Sequence, residues 1–99
     1  MQPKQAIQKA KDIVAEMFAD ENPLNIGLEE IEYDDRDDVW KVTVGFDRLR
    51  SDLVRLSNVT AELTGAQPKL ALFKREYKVV SINAQDAAMV SIKNHDMAQ

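Results

Sequence analysis

The sequence predicts an α+β domain in which one long N-terminal helix packs on a four-stranded antiparallel sheet. Three observations carry that expectation. Residues 3–20 repeat their apolar positions every three or four residues. Two matched segments, Val39-Trp40-Lys41-Val42-Thr43-Val44 and Glu76-Tyr77-Lys78-Val79-Val80-Ser81-Ile82, are rich in the β-branched and aromatic side chains that suit a pleated sheet. Polar turn signals separate these segments from further short apolar runs.

The helix is expected over residues 3–20. Pro3 suits a first helical position, where its missing N–H costs nothing. Ile7, Ala10, Val14, Met17 and Phe18 follow one buried stripe, widened by Ala6 and Ile13. Asn22-Pro23 ends it, because the residue before a proline disfavours helical backbone. The first strand is expected over 26–33. Ile26 and Leu28 share one parity and Ile31 and Tyr33 the other, so a β-bulge at Glu29-Glu30 is needed to put all four on one face. Asp34-Asp35-Arg36-Asp37-Asp38 reads as a hairpin turn, since Asp side chains readily satisfy turn backbone. The second strand spans 39–46, with Trp40, Val42, Val44 and Phe46 on one face. The third spans 72–83, the turn is Ala84-Gln85-Asp86-Ala87, the fourth strand spans 89–93, and residues 94–99 form a frayed tail. The spacer 47–71 fits neither period cleanly. Leu49, Leu53, Leu56 and Leu63 are spaced like a helix face, whereas Ser57-Asn58-Val59-Thr60 is poor helix material.

At 99 residues the chain makes a single domain, 1–99, with one modest core. The absence of cysteine removes disulfides and thiolate chemistry. The charged N-terminal stretch is no signal peptide, and no segment approaches a membrane span, so the cytoplasm is the expected address. The net charge of −4 weighs against nonspecific nucleic-acid binding. That charge is uneven: Glu29–Asp38 holds seven acids and one Arg, while Lys41–Lys78 holds eight basic residues and four acids.

No catalytic constellation emerges. His95, the one histidine, lies in a polar tail beside Asp96, where no fixed geometry or nucleophile supports it. Asp34, Asp35, Asp37 and Asp38 have the oxygen donors of a hard-cation site but not the EF-hand spacing, and read as a solvated turn. Gly27, Gly45 and Gly65 are scattered and form no phosphate loop. Gly45 falls within a strand, where glycine marks a bulge or a close approach. Arg48, Arg50, Arg55, Lys69, Lys74 and Arg75, with Phe73 and Tyr77 interleaved, imitate a single-strand nucleic-acid surface without an RRM signature. No cofactor, metal or catalytic residue is assigned.

Trp40-Lys41-Val42-Thr43-Val44, Tyr77-Lys78-Val79-Val80-Ser81-Ile82-Asn83-Ala84 and Met89-Val90, in that order after a helix, resemble the PepSY-type small domain, which has a cystatin-like architecture. Asn83 stands where that family usually has Asp, and Gln85-Asp86-Ala87-Ala88 replaces its Thr-Gly turn. The resemblance implies a non-catalytic domain that binds or restrains another protein, notably a peptidase.

If Trp40, Val42, Val44 and Phe46 cover the helix, Val39 and Thr43 point away from it. The parity of the third strand leaves either Tyr77 and Val79, or Val80 and Ile82, on that outer face. An apolar patch there marks an interface unless the spacer folds over it. The expected interface is therefore Val39, Thr43, Tyr77 and Val79, with Leu53 and Leu56 from the spacer. The function that follows is non-enzymatic: protein binding or homodimerisation, without nucleic acid or membrane. The alternative is a small-ligand-binding or enzymatic cystatin-like cone, which needs polar groups between helix and sheet.

Overall fold

A computed structural model describes residues 1–49 and 73–95. It contains one helix, α1 (Pro3–Met17), a 3₁₀ turn (Ala19–Glu21), and strands β1 (Leu24–Asp34), β2 (Val39–Leu49), β3 (Phe73–Asn83) and β4 (Met89–Asn94). The strands form one antiparallel sheet in the order β1-β2-β3-β4, a meander with α1 on one face. The α+β expectation holds.

The helix begins as its sequence dictates. Pro3 takes the first position, and the Gln5 side chain accepts the Gln2 N–H at 2.8 Å, satisfying a donor the helix cannot. Ala6, Ala10 and Val14 form the centre of the buried stripe and are fully enclosed, with Ile7, Ile13 and Phe18 packed beside them. The small alanines bring the helix close to the sheet. Two expectations are corrected here. The α-helix stops at Met17, not residue 20, and Met17 is 58% exposed instead of buried. The cause is local: the backbone tightens into the 3₁₀ turn, and Phe18 takes the place against the sheet, its ring 5.3 Å from that of Phe46. Asn22 then adopts a left-handed φ of 49°, and Pro23 leads into β1.

The β1–β2 register slips between Leu28 and Glu30, where the parity argument placed a bulge. A second irregularity lies between Leu24 and Gly27, with Asn25 at φ 54°. β2 and β3 pair without interruption from Val39↔Asn83 to Leu49↔Phe73. Residues 47–49 thus belong to a strand, not to the spacer. The unbroken ladder also settles the parity of β3. Trp40 faces Ile82 and Val42 faces Val80, so Val80 and Ile82 join the core, while Tyr77 and Val79 lie on the other face with Thr43. β4 runs one residue further than expected, and His95 donates its N–H to the Tyr77 carbonyl at 3.0 Å. The remainder of the spacer, with Leu53, Leu56 and Leu63, and residues 96–99 lie outside the described residues.

The core is Ala6, Ala10, Val14, Val42, Val44, Phe46, Val80 and Ile82, all without solvent exposure. Each large member contributes roughly 1.5–3 kcal/mol by leaving water. The far end of the helix is tied down by charge. Arg48 of β2 pairs with Glu21 of the 3₁₀ turn at 3.1 Å and with Glu76 of β3 at 2.9 Å, and the Lys78 ammonium lies 5.1 Å from the centre of the Phe18 ring.

Candidate functional site

The sheet has two faces and one helix. On the face away from α1 the strands bring together Val39, Thr43, Tyr77 and Val79, the residues expected to form an interface. Thr43 lies opposite Val79, and Tyr77 lies opposite Gly45. Thr43, a short side chain between Glu30 of β1 and Val79 of β3, is 4% exposed, and Val39 is 7% exposed. Tyr77 and Val79 are half-buried and supply the accessible part of the stripe. Leu53 and Leu56 are outside the described residues. Between the centre of α1 and the sheet, by contrast, the packing is apolar and closed.

One end of the outer face is filled by a polar clasp. The Arg75 guanidinium donates to the Asn25 carbonyl at 2.9 Å, to Asp47 at 3.1 Å and to Glu29 at 3.1 Å. Asn25 Nδ2 donates to the other Asp47 oxygen at 2.8 Å. Burial works against the Arg75 charge, but the hydrogen bonds with Glu29 and Asp47 outweigh it and hold the guanidinium more firmly protonated than usual. The Asn25 hydrogen bond, then Arg75, keeps the Asp47 carboxyl below the usual carboxylate range. The clasp needs glycine beneath it: a Cβ on Gly45 would stand 2.8 Å from Glu29 Oε1 and 3.0 Å from Arg75 Nη2. This is the close approach that a glycine inside a strand signals. Of the basic residues that imitate a nucleic-acid surface, Arg48 and Arg75 are both engaged by carboxylates.

The opposite end of the sheet is built from the two hairpin turns. Asp34 Oδ1 accepts the Arg36 N–H at 3.0 Å, and its carboxylate meets Lys41 at 3.4 Å and Arg36 at 3.8 Å. The Arg36 amide, and then Lys41, hold the Asp34 carboxyl below its ordinary value against the opposing effect of burial. Asp38, at a left-handed φ of 54°, laces the two turns together. Its carbonyl accepts the Ala84 N–H at 2.9 Å, and its carboxylate accepts the Gln85 amide at 2.8 Å and the Tyr33 hydroxyl at 2.5 Å. Tyr33 and then Gln85 lower the Asp38 carboxyl, with a smaller effect from the α-amino group of Met1. The same bond to Asp38, then partial desolvation, raises the Tyr33 hydroxyl above its usual value.

Tyr33 and Trp40 form a cross-strand pair with ring centroids 5.0 Å apart and planes tilted by 51°. Together with Met1, Asp38, Ala84 and Gln85 they line a shallow basin of about 350 Å³. The Trp40 indole N–H is buried without an acceptor, so Trp40 offers the basin carbon surface. Sequence reasoning assigned these residues to a strand and a turn and missed the basin. The signal was present: a hairpin closed by the Asp34–Asp38 turn places Tyr33 opposite Trp40.

Among the described residues no group of three or more His, Asp or Glu side chains is arranged to hold a metal ion. No helix among them is long and apolar enough to cross a membrane. Comparison with family models, with curated proteins and with solved structures finds no match to this chain.

Proposed function

We propose that this chain is a non-enzymatic protein-binding domain that meets a second copy of itself through the sheet face turned away from α1. The observation that carries the reading is the asymmetry of the sheet: the single described helix occupies one face, while Tyr77 and Val79 stand with Thr43 and Val39 on the other. A symmetric dimer lets one patch serve both subunits. About 800 Å² per partner is enough for a stable contact. The resemblance to PepSY-type domains supports the broader reading, in which the partner is another protein such as a peptidase held in restraint. A ligand-binding or enzymatic cone has less support, because it needs polar groups where Ala6, Ala10, Val14 and Val80 pack.

Sedimentation equilibrium tests the proposal on three chains: the parent, Val79→Lys, and a chain lacking residues 51–65. The expected result is a dimer for the parent at high micromolar concentration and a monomer with an unchanged circular dichroism spectrum for Val79→Lys. A parent that remains monomeric, with a deletion that aggregates, would show that the chain covers its own sheet and would overturn self-association.

A further inference from the structure

The basin at the turn end of the sheet has the chemistry of a cation site. Elsewhere among the described residues, buried or half-buried carboxylates are ion-paired: Asp34 with Lys41, Asp47 and Glu29 with Arg75, Glu21 and Glu76 with Arg48. Asp38 is different. Its two oxygens are held by the neutral donors Tyr33 and Gln85, and no side-chain cation pairs with it among the described residues. Those bonds fix the carboxylate without cancelling its charge. Two aromatic rings, tilted by 51°, stand beside it, and no Lys or Arg is among the lining residues.

A carboxylate held in place next to aromatic surface attracts an organic cation in two ways. The charge draws it, and the electron-rich ring faces of Tyr33 and Trp40 favour an alkylammonium over a strongly hydrated metal ion. Two positive groups oppose this: the start of α1 at Pro3, worth about half a charge, and the α-ammonium of Met1, a residue that lines the basin. The ammonium acts on Asp38 without forming an ion pair with it, so that direct contact with the carboxylate is left for the ligand. The size fits, since about 350 Å³ lies at the small end of ligand sites and accommodates a side-chain-sized group.

We infer that the basin formed by Tyr33, Trp40, Asp38 and Gln85 binds an organic ammonium group, as carried by a lysine side chain or by a free alkylamine. This site is independent of the proposed self-association, because it lies at the end of the sheet and a monomer can carry it.

Trp40 is the only tryptophan and lines the basin, so tryptophan fluorescence reads binding there. At constant ionic strength the full chain is titrated with n-butylammonium chloride, with n-butanol as the neutral isostere, and with a capped pentapeptide holding a single lysine. The expected result is a saturable change with a millimolar Kd for the cations and none for butanol. Asp38→Asn weakens that binding about tenfold, the scale of a lost charge-assisted hydrogen bond. This variant retains the fold because asparagine tolerates the left-handed backbone at residue 38. Asp35→Asn removes the same charge from the same turn, at a residue that does not line the basin, and leaves binding unchanged. Tighter binding of the peptide assigns the cation to a protein partner, and tighter binding of butylammonium assigns it to a small molecule. Either outcome upholds the site. Equal response to butanol, equal loss in the two Asn variants, or no saturation with any cation overturns it.

Discussion

At residue 45 a hydrogen atom decides how three strands are joined on the outer face. Only a glycine leaves room for the Arg75 guanidinium to reach Asp47, Glu29 and the Asn25 carbonyl at once. The atoms a Cβ would strike are the ends of flexible side chains, so no backbone has to move. The cost is the loosening of the clasp, offset in part because alanine loses less backbone freedom than glycine on folding. We expect Gly45→Ala to destabilise the domain by about 1 kcal/mol in urea unfolding. Gly27 supplies the control, since its Cβ would meet Arg75 at an ordinary 3.7 Å. Gly27→Ala should stay within about 0.5 kcal/mol of the parent. In an Arg75→Ala, Glu29→Ala background the Gly45→Ala penalty should vanish, because the atoms it displaces are gone. A penalty that survives there would mean that the backbone, and not the clasp, requires glycine.

At the scale of elements, local patterns were legible where one face alone was apolar. The slip between Ile26–Leu28 and Ile31–Tyr33 identified the bulge in β1, and Trp40, Val42, Val44 and Phe46 identified the core face of β2. β3 was ambiguous because Tyr77, Val79, Val80 and Ile82 are apolar at both parities. Only the ladder with β2 decides between them. The end of β2 was hidden for a similar reason, since Leu49 keeps helical spacing with Leu53 and Leu56. The clasp and the basin could not be read from spacing, because each joins residues from separate strands: Arg75 with Glu29 and Asp47, Tyr33 with Trp40 and Gln85. Helix α1 was the clearest element, and its central position is the most demanding. Val14 is fully enclosed between α1 and the sheet. Val14→Asp places a carboxylate there with no partner, at a cost of several kcal/mol against a total stability of roughly 5–15 kcal/mol. The variant should show no cooperative thermal transition by circular dichroism. A melt within a few degrees of the parent would mean that α1 is not held on the sheet as described.

For the whole molecule, the apolar core and the polar ends respond to different conditions. The core residues carry no titratable group. The two ends of the sheet are laced by carboxylates: Asp34 and Asp38 at the turns, Asp47 in the clasp. All three have their carboxyls lowered in the folded state by donors that prefer the ionised form. A lowered carboxyl adds stability above its unfolded value, near pH 4, and loses it as pH falls through the folded value. Acid therefore unlaces both ends together while leaving the core chemistry intact. Protonating the seventeen acids also leaves thirteen Lys and Arg charges unopposed, so self-repulsion acts in the same direction. We expect stability to be nearly flat from about pH 6 to 8 and to fall steeply below about pH 4. The combined Asp38→Asn, Asp47→Asn variant should begin lower at neutral pH and fall less on acidification, because two of the lowered groups no longer titrate. Urea unfolding of both chains across this range checks the expectation. Parallel curves for parent and variant would show that these carboxylates do not lace the ends and that the acid response comes from overall charge alone.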